Sequence, residues 1–201
     1  MINSIGDRPA RAQHRAESPP DATLWPVPAL VNFWPREKDS IRAARQPPAD
    51  RTKPLVYFAR AIDGLDASSI RSNGRKVGKY LASYGLAMID PYESLRATSD
   101  SAGREATPQE LVSSDLRLLA HSDAVLMNMS IPNRNYIGCV AELVYAHLWR
   151  VPAVVYVGAS LNDQRPWLQY HATVICTKLP EAVKQLRKTL KMYDTGYSPT
   201  Q

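Results

Sequence analysis

The chain reads as an α/β protein: a single doubly wound parallel sheet of about five strands, flavodoxin-like or Rossmann-like, behind an extended Pro-rich N-terminal arm. Two observations predict the sheet. From residue 54 onward, short apolar runs alternate with longer segments of helical period. Several of those runs, such as Ala124 to Met129 and Ala153 to Val157, are apolar at nearly every position, as strands buried on both faces are. A third observation sets the arm apart: residues 1–53 carry Pro9, Pro19, Pro20, Pro26, Pro28, Pro35, Pro47 and Pro48 among many charges, with little periodicity.

The organisation is therefore an arm over 1–53, a folded domain over 54–192 and a loose tail over 193–201. Within the arm, Leu24-Trp25-Pro26-Val27-Pro28-Ala29-Leu30-Val31-Asn32-Phe33-Trp34 is too aromatic for a linker, and partial docking is expected of it. In the domain, Leu55 to Ala59 is the first strand. Ser68 to Tyr84 follows as a helix with Ile70, Val77, Leu81 and Tyr84 inward, and Gly85 stops it. Leu86 to Ile89 is the second strand. The polar stretch Asp90 to Ala106 is long enough for a lid.

Thr107-Pro108-Gln109-Glu110 is a helix start, with Thr107 as cap, Pro108 in the first turn and Glu110 completing a capping box; the helix runs to His121. Ala124 to Met129 is the third strand, and Ser130 to Tyr136 an Asn- and Pro-containing loop. Gly138 opens a helix that ends near Arg150, before Pro152. Ala153 to Val157 and Thr173 to Cys176 are the last strands, and Pro180 to Met192 a closing basic helix.

The 201 residues carry a net charge of +6, which favours anionic partners, nucleotides among them. No basic run is interleaved with aromatics, so a nucleic-acid groove is not expected. Cys139 and Cys176 have no spaced partner and His14, His121, His147 and His171 are scattered, so neither metal nor cofactor is expected. Cys139 reads as a small buried hydrophobe. Neither a signal peptide nor a membrane span is visible, and reduced thiols suit a cytoplasmic protein.

Two acids lie where chemistry is possible. Asp115 borders the apolar stripe of its helix, beside Leu111 and Leu118. It is either paired with a base at the stripe's edge or directed into a pocket. Glu142 falls off the stripe expected of its own helix (Ile137, Val140 or Ala141, Val144, Leu148), which reads as a solvated acid. Against that stand the apolar Leu143, Tyr145, Ala146 and Trp149 around it, and its early-turn position, where the helix dipole favours an ionised carboxylate. Such a carboxylate can attack a sugar carbon. After the first strand, Arg60, Asp63, Ser69 and Arg71 are able to hold a sugar or phosphate, or to be surface charges. The glycines of a dinucleotide fingerprint are missing there. Asp123 reads as structural, and Asn128 points to the mouth of the sheet.

Three stretches together resemble the nucleoside 2-deoxyribosyltransferase superfamily, including the 2′-deoxynucleoside 5′-phosphate N-hydrolases. They are Val56-Tyr57-Phe58-Ala59-Arg60-Ala61-Ile62-Asp63-Gly64, then Asp115-Leu116 through Ser122-Asp123-Ala124-Val125, then Gly138-Cys139-Val140-Ala141-Glu142-Leu143-Val144-Tyr145-Ala146. The similarity spans about residues 55–190. It implies cleavage or transfer of the N-glycosidic bond of a nucleoside or nucleoside 5′-monophosphate. Glu142 would be the nucleophile, Asp115 would assist the departing base, and Tyr57 would line the sugar or base site. Arg60, Ala61, Ile62, Asp63, Gly64, Asn128, Tyr136, Gly138 and Ser160 would surround the substrate, in a homodimer or higher homo-oligomer. The chain departs from the family at three points. Tyr136 replaces an acid that holds the sugar 5′-hydroxyl in the transferases, Asp63 replaces an arginine of the hydrolases' phosphate loop, and Val144 replaces a glycine. A catalytically inactive nucleotide-binding sensor or scaffold is the alternative that these departures leave open.

Overall fold

A computed structural model describes residues 52–94 and 106–194. The aromatic island of the arm, the tail beyond 194 and most of the expected lid lie outside the described residues. The elements run β1 (Leu55–Arg60), α1 (Ala67–Ser83), β2 (Ala87–Ile89), α2 (Pro108–Ala120), β3 (Ala124–Asn128), α3 (Ile137–Leu148), β4 (Ala153–Tyr156), α4 (Pro166–His171), β5 (Val174–Cys176) and α5 (Leu179–Asp194). The five strands are parallel in the order β2-β1-β3-β4-β5, the flavodoxin-like arrangement of a doubly wound sheet. The sequence left this order open.

Strand alternation divides the core into two layers. Tyr57, Ala59, Val125, Met127, Ala153 and Val155 face α2 and α3, where Leu116, Leu119, Cys139, Leu143 and Ala146 meet them. Val56, Phe58, Ala124, Leu126 and Val154 face the other way, onto Val77 and Leu81 of α1 and Ala182, Val183 and Leu186 of α5. With both faces covered, each strand must be apolar at every position, which explains the unbroken runs.

Local chemistry sets the helix ends. Thr107 Oγ1 accepts the Glu110 amide while the Glu110 carboxylate accepts the Thr107 amide, the reciprocal capping box expected there. Asp66, two residues before the expected helix start, caps α1 by accepting the Ser69 amide at 2.9 Å, and its bonds to Ser68 and Ser69 hold its carboxyl well below the usual range. Asp123 is structural, as read: it accepts the Leu55 amide at 2.7 Å and so ties the start of β1 to the start of β3.

Helix α3 departs from expectation. Its buried residues are Cys139, Leu143 and Ala146, while Ile137 is 75% and Leu148 56% exposed. The inward stripe is therefore rotated from the one expected through Ile137, Val140 or Ala141, Val144 and Leu148, of which Val140 is packed, partly buried, against the core. The helix is apolar nearly all round, so its pattern alone does not select a face. The rotation matters, because residue 142 sits one turn from both Cys139 and Ala146 and so lies along the buried face. The sequence also missed the short α4 and a turn of 3₁₀ helix at Asn162–Gln164 ahead of it. Part of the expected loop after β2 is instead a helical turn over 91–94, begun at Asp90.

Candidate active site

Tyr57 is fully buried in the middle of β1, and its hydroxyl donates to Glu142 Oε1 at 2.7 Å. The partners are 85 residues apart in the chain. The bond exists because β1 turns alternate side chains toward α3 and because α3 presents its Cys139–Leu143–Ala146 side to the sheet. Leu116 and Leu119 draw α2 onto the same layer, and Asp115, half-buried, comes with them.

The electrostatics follow from this crowding. Burial pushes the Glu142 carboxyl up to about 8. The negative charge of Asp115 adds to that rise, and the Tyr57 hydrogen bond opposes it. Burial lifts Asp115 to about 6. The Tyr57 phenol is raised far above its ordinary value by burial and by both carboxylates, so it stays a donor. Cys139 is raised by burial and by the nearby Glu142 and remains a thiol rather than a thiolate. Glu142 and Asp115 thus hold one proton between them from about pH 6 to about pH 8. At neutral pH such a pair contains one acid and one carboxylate.

The other candidate residues divide into four groups. Arg60, Ala61 and Asn128, with Ser69, line a cleft at the carboxyl ends of β1 and β3. Arg60 is already committed: its Nη2 donates to Asp90 Oδ2 at 2.8 Å, and its guanidinium lies 4.7 Å over the Phe58 ring. Ile62, Asp63 and Gly64 form the turn after β1. Gly64 has a positive φ of 69°, and the Asp63 and Gly64 carbonyls accept from Arg134 Nη1 at 3.1 and 3.4 Å. Tyr136 and Ser160 make scaffold contacts. The Tyr136 hydroxyl accepts the Ile131 amide and donates to the Ile131 carbonyl, and Ser160 Oγ donates to the Met129 carbonyl at 2.7 Å. Gly138 is exposed, with nothing within 4 Å of where a side chain would begin, so no close approach requires a glycine there.

Sequence reasoning missed Asp90 and Arg134. Asp90 could have been found, since it directly follows β2 and therefore stands at the ligand-binding edge of the sheet. Nothing in the loop from Ser130 to Tyr136 marked Arg134 as a clamp on a turn about 70 residues earlier. Among the described residues, no group of three or more His, Cys, Asp and Glu is placed to hold a metal ion. None of the described helices is long and apolar enough to cross a membrane.

Comparison with known proteins yields the fold. The structure is similar to the crystal structure of a conserved protein from Enterococcus faecalis V583, with a TM-score of 0.53 at 12% sequence identity. The match covers 68% of this chain and 99% of that one. At this identity the likeness concerns the α/β architecture alone. No protein-family model and no curated protein matches the sequence.

Proposed function

We propose that this protein cleaves or transfers the N-glycosidic bond of a nucleoside or nucleoside 5′-monophosphate. The observation that carries the reading is the bond from buried Tyr57 to Glu142, with Asp115 in electrostatic reach of both. An exposed helix acid would have no such partners. A structural buried acid would be expected to meet a cation, and among the described residues none pairs with Glu142.

The Glu142 carboxylate attacks the anomeric carbon, and the C–N bond to the base breaks. Asp115 gives its proton to the departing base, leaving a glycosyl ester on Glu142. Asp115, now ionised, takes a proton from water as the water attacks the same carbon, which releases the sugar and restores both acids. A second base in place of water gives transfer. Two carboxylates acting in turn as nucleophile and as acid–base follow the logic of retaining glycosidases. Tyr57 orients the nucleophile and supports its ionised form, since its hydrogen bond acts against the effect of burial. The resting proton favours Glu142, so the reactive form requires its movement to Asp115; the proton count is unchanged.

The test is a panel of ribo- and deoxyribonucleosides and their 5′-monophosphates, with free base followed by chromatography. Release is expected from at least one substrate, along a bell-shaped pH profile with limbs near 6 and 8. Below the first limb both acids are protonated and no nucleophile remains; above the second both are ionised and no proton can be donated. Glu142→Gln should lower turnover by about 10³-fold or more. Release that survives this substitution rules the mechanism out. Ligand binding without turnover is a second reading. It draws on Tyr136, whose hydroxyl is tied to the Ile131 backbone where the transferases that the sequence resembles carry an acid.

A further inference from the structure

The ends of α3 and α4 carry two imidazoles that the proposed reaction does not use. His147 lies in the last turn of α3, shortly before β4, and His171 is the last residue of α4, shortly before β5. β4 and β5 are parallel neighbours, with Val154 opposite Val174. Their starts are tied together: the Ala153 amide donates to Thr173 Oγ1 at 2.9 Å, and the Ala153 carbonyl accepts the Thr173 amide at 2.8 Å. Strands that start side by side bring together the helix ends that feed them. The two rings accordingly stand 5.0 Å apart, centre to centre, at 75°. They sit at the amino ends of the strands, the edge opposite the one where open α/β sheets lodge ligands. Histidines scattered in the sequence hide this pair, because only strand pairing assembles it.

His171 is prepared as a ligand. A carbonyl oxygen only accepts, so the 2.8 Å bond between His171 Nδ1 and the Trp167 carbonyl puts the ring proton on Nδ1. The neutral ring then carries its lone pair on Nε2. Metal-binding imidazoles are oriented by the same kind of bond. Trp167 stacks on the ring at 5.2 Å and 3°, and Tyr170 meets it at 4.8 Å, so the imidazole is held from two sides. The half-buried His147 ring completes the pair by turning about χ2, a soft torsion.

The spacing fits a shared metal ion. Metal–nitrogen bonds of about 2.1 Å, meeting at about 90–110°, set the centres of two imidazoles about 4.6–5.3 Å apart. The observed separation of 5.0 Å falls inside that range. The last carbonyls of α3 add the negative end of its dipole, which favours a cation. Neutral imidazoles suit Zn²⁺ and Ni²⁺, whereas Mg²⁺ and Ca²⁺ take oxygen ligands. Among the described residues no third His, Cys, Asp or Glu joins the pair, so water fills the other positions. We propose that His147 and His171 chelate one divalent transition-metal ion of the Zn²⁺ and Ni²⁺ class, fastening the end of α3 to α4. The assignment is independent of the reading of Glu142.

The experiment is a calorimetric titration of the whole chain, free of any affinity tag, with Zn²⁺, Ni²⁺ and Mg²⁺ in turn. Zn²⁺ and Ni²⁺ should each bind at one ion per chain and raise the midpoint of thermal unfolding, and Mg²⁺ should do neither. Loss of even an outer-shell partner costs a metal site about tenfold or more, so His147→Ala and His171→Ala should each weaken Zn²⁺ binding by at least that factor. His14→Ala, His121→Ala and Glu142→Gln should bind Zn²⁺ as the unaltered chain does. Zn²⁺ binding that is absent, that survives both His147→Ala and His171→Ala, or that is lost in any of the three controls overturns the proposal. Should His147→Ala or His171→Ala fail to fold by circular dichroism, imidazole nitrogen NMR of the unaltered chain decides. Zn²⁺ should shift the ring-nitrogen resonances of both His147 and His171, and a pair left unmoved overturns the assignment.

Discussion

Two carboxylates bond to side chains of β1, and their surroundings are opposite. Asp90, at the end of β2, meets a guanidinium at 2.8 Å, and its Oδ1 accepts the Tyr92 amide. Glu142, in α3, meets a phenol and the field of a second acid. The first arrangement balances charge and holds β1, β2 and the start of the following segment together. The second leaves charge unbalanced in a desolvated place and keeps a proton near neutrality. Burial of an acid therefore does not by itself mark a reactive site; the role proposed for Glu142 rests on burial beside a neutral donor and a second acid.

Removing the cation's partner should produce the largest stability effect. Asp90→Ala strands Arg60 in the interior, and urea unfolding should show a loss of about 3 kcal/mol. A loss well below 1 kcal/mol would mean that water already reaches the pair. Gly74→Ala comes next. A Cβ at Gly74 would collide with Asp90 Oδ2 and press on Arg60 Nη2 at 3.3 Å, so the helix can pass the ion pair only with no side chain at this point. A loss of about 2 kcal/mol is expected, from overpacking against a charged pair that cannot move freely.

The Glu142 side of the comparison predicts a smaller change of the opposite sign. Its folded-state carboxyl sits near 8, above the ordinary value of 4.5. Between those values the folded protein holds a proton that the unfolded chain has released, so stability falls as pH rises through that window. Glu142→Gln removes the titrating group and keeps an acceptor for Tyr57. Its midpoint of thermal unfolding should exceed that of the unaltered chain at pH 9 and match it near pH 4. The gain should be about 1 kcal/mol, since the residue is only half-buried and solvent screens part of the effect. A variant less stable at pH 9 would show that Glu142 has a stabilising partner when ionised. Such a cost in stability would accompany the catalytic role proposed for Glu142.

Much of this could be read before any coordinates. The strands appear within about a residue or two of their expected bounds, because full burial makes each one a continuous apolar run bounded by polar turns. The capping box at Thr107 was legible because it is a local contact between Thr107 and Glu110. Tyr57, Glu142 and Asp115 could be named as candidates from sequence stretches, yet the stripe assigned to α3 placed Glu142 on the wrong side. Asp90 and Arg134 went unseen, since each acts on a residue far away in sequence.

The sequence by itself determined the five strands, the four longer helices and the capping box at Thr107, and that the sheet is parallel with both faces covered. Period, capping and apolar runs are short-range properties, encoded within a few neighbouring residues. Only the tertiary structure decided the order β2-β1-β3-β4-β5, the face that α3 turns inward, and hence the meeting of Tyr57 with Glu142 and of Arg60 with Asp90. A helix apolar on nearly every side has no preferred face until a sheet is packed against it, and a carboxyl's proton affinity depends on which groups that packing brings near.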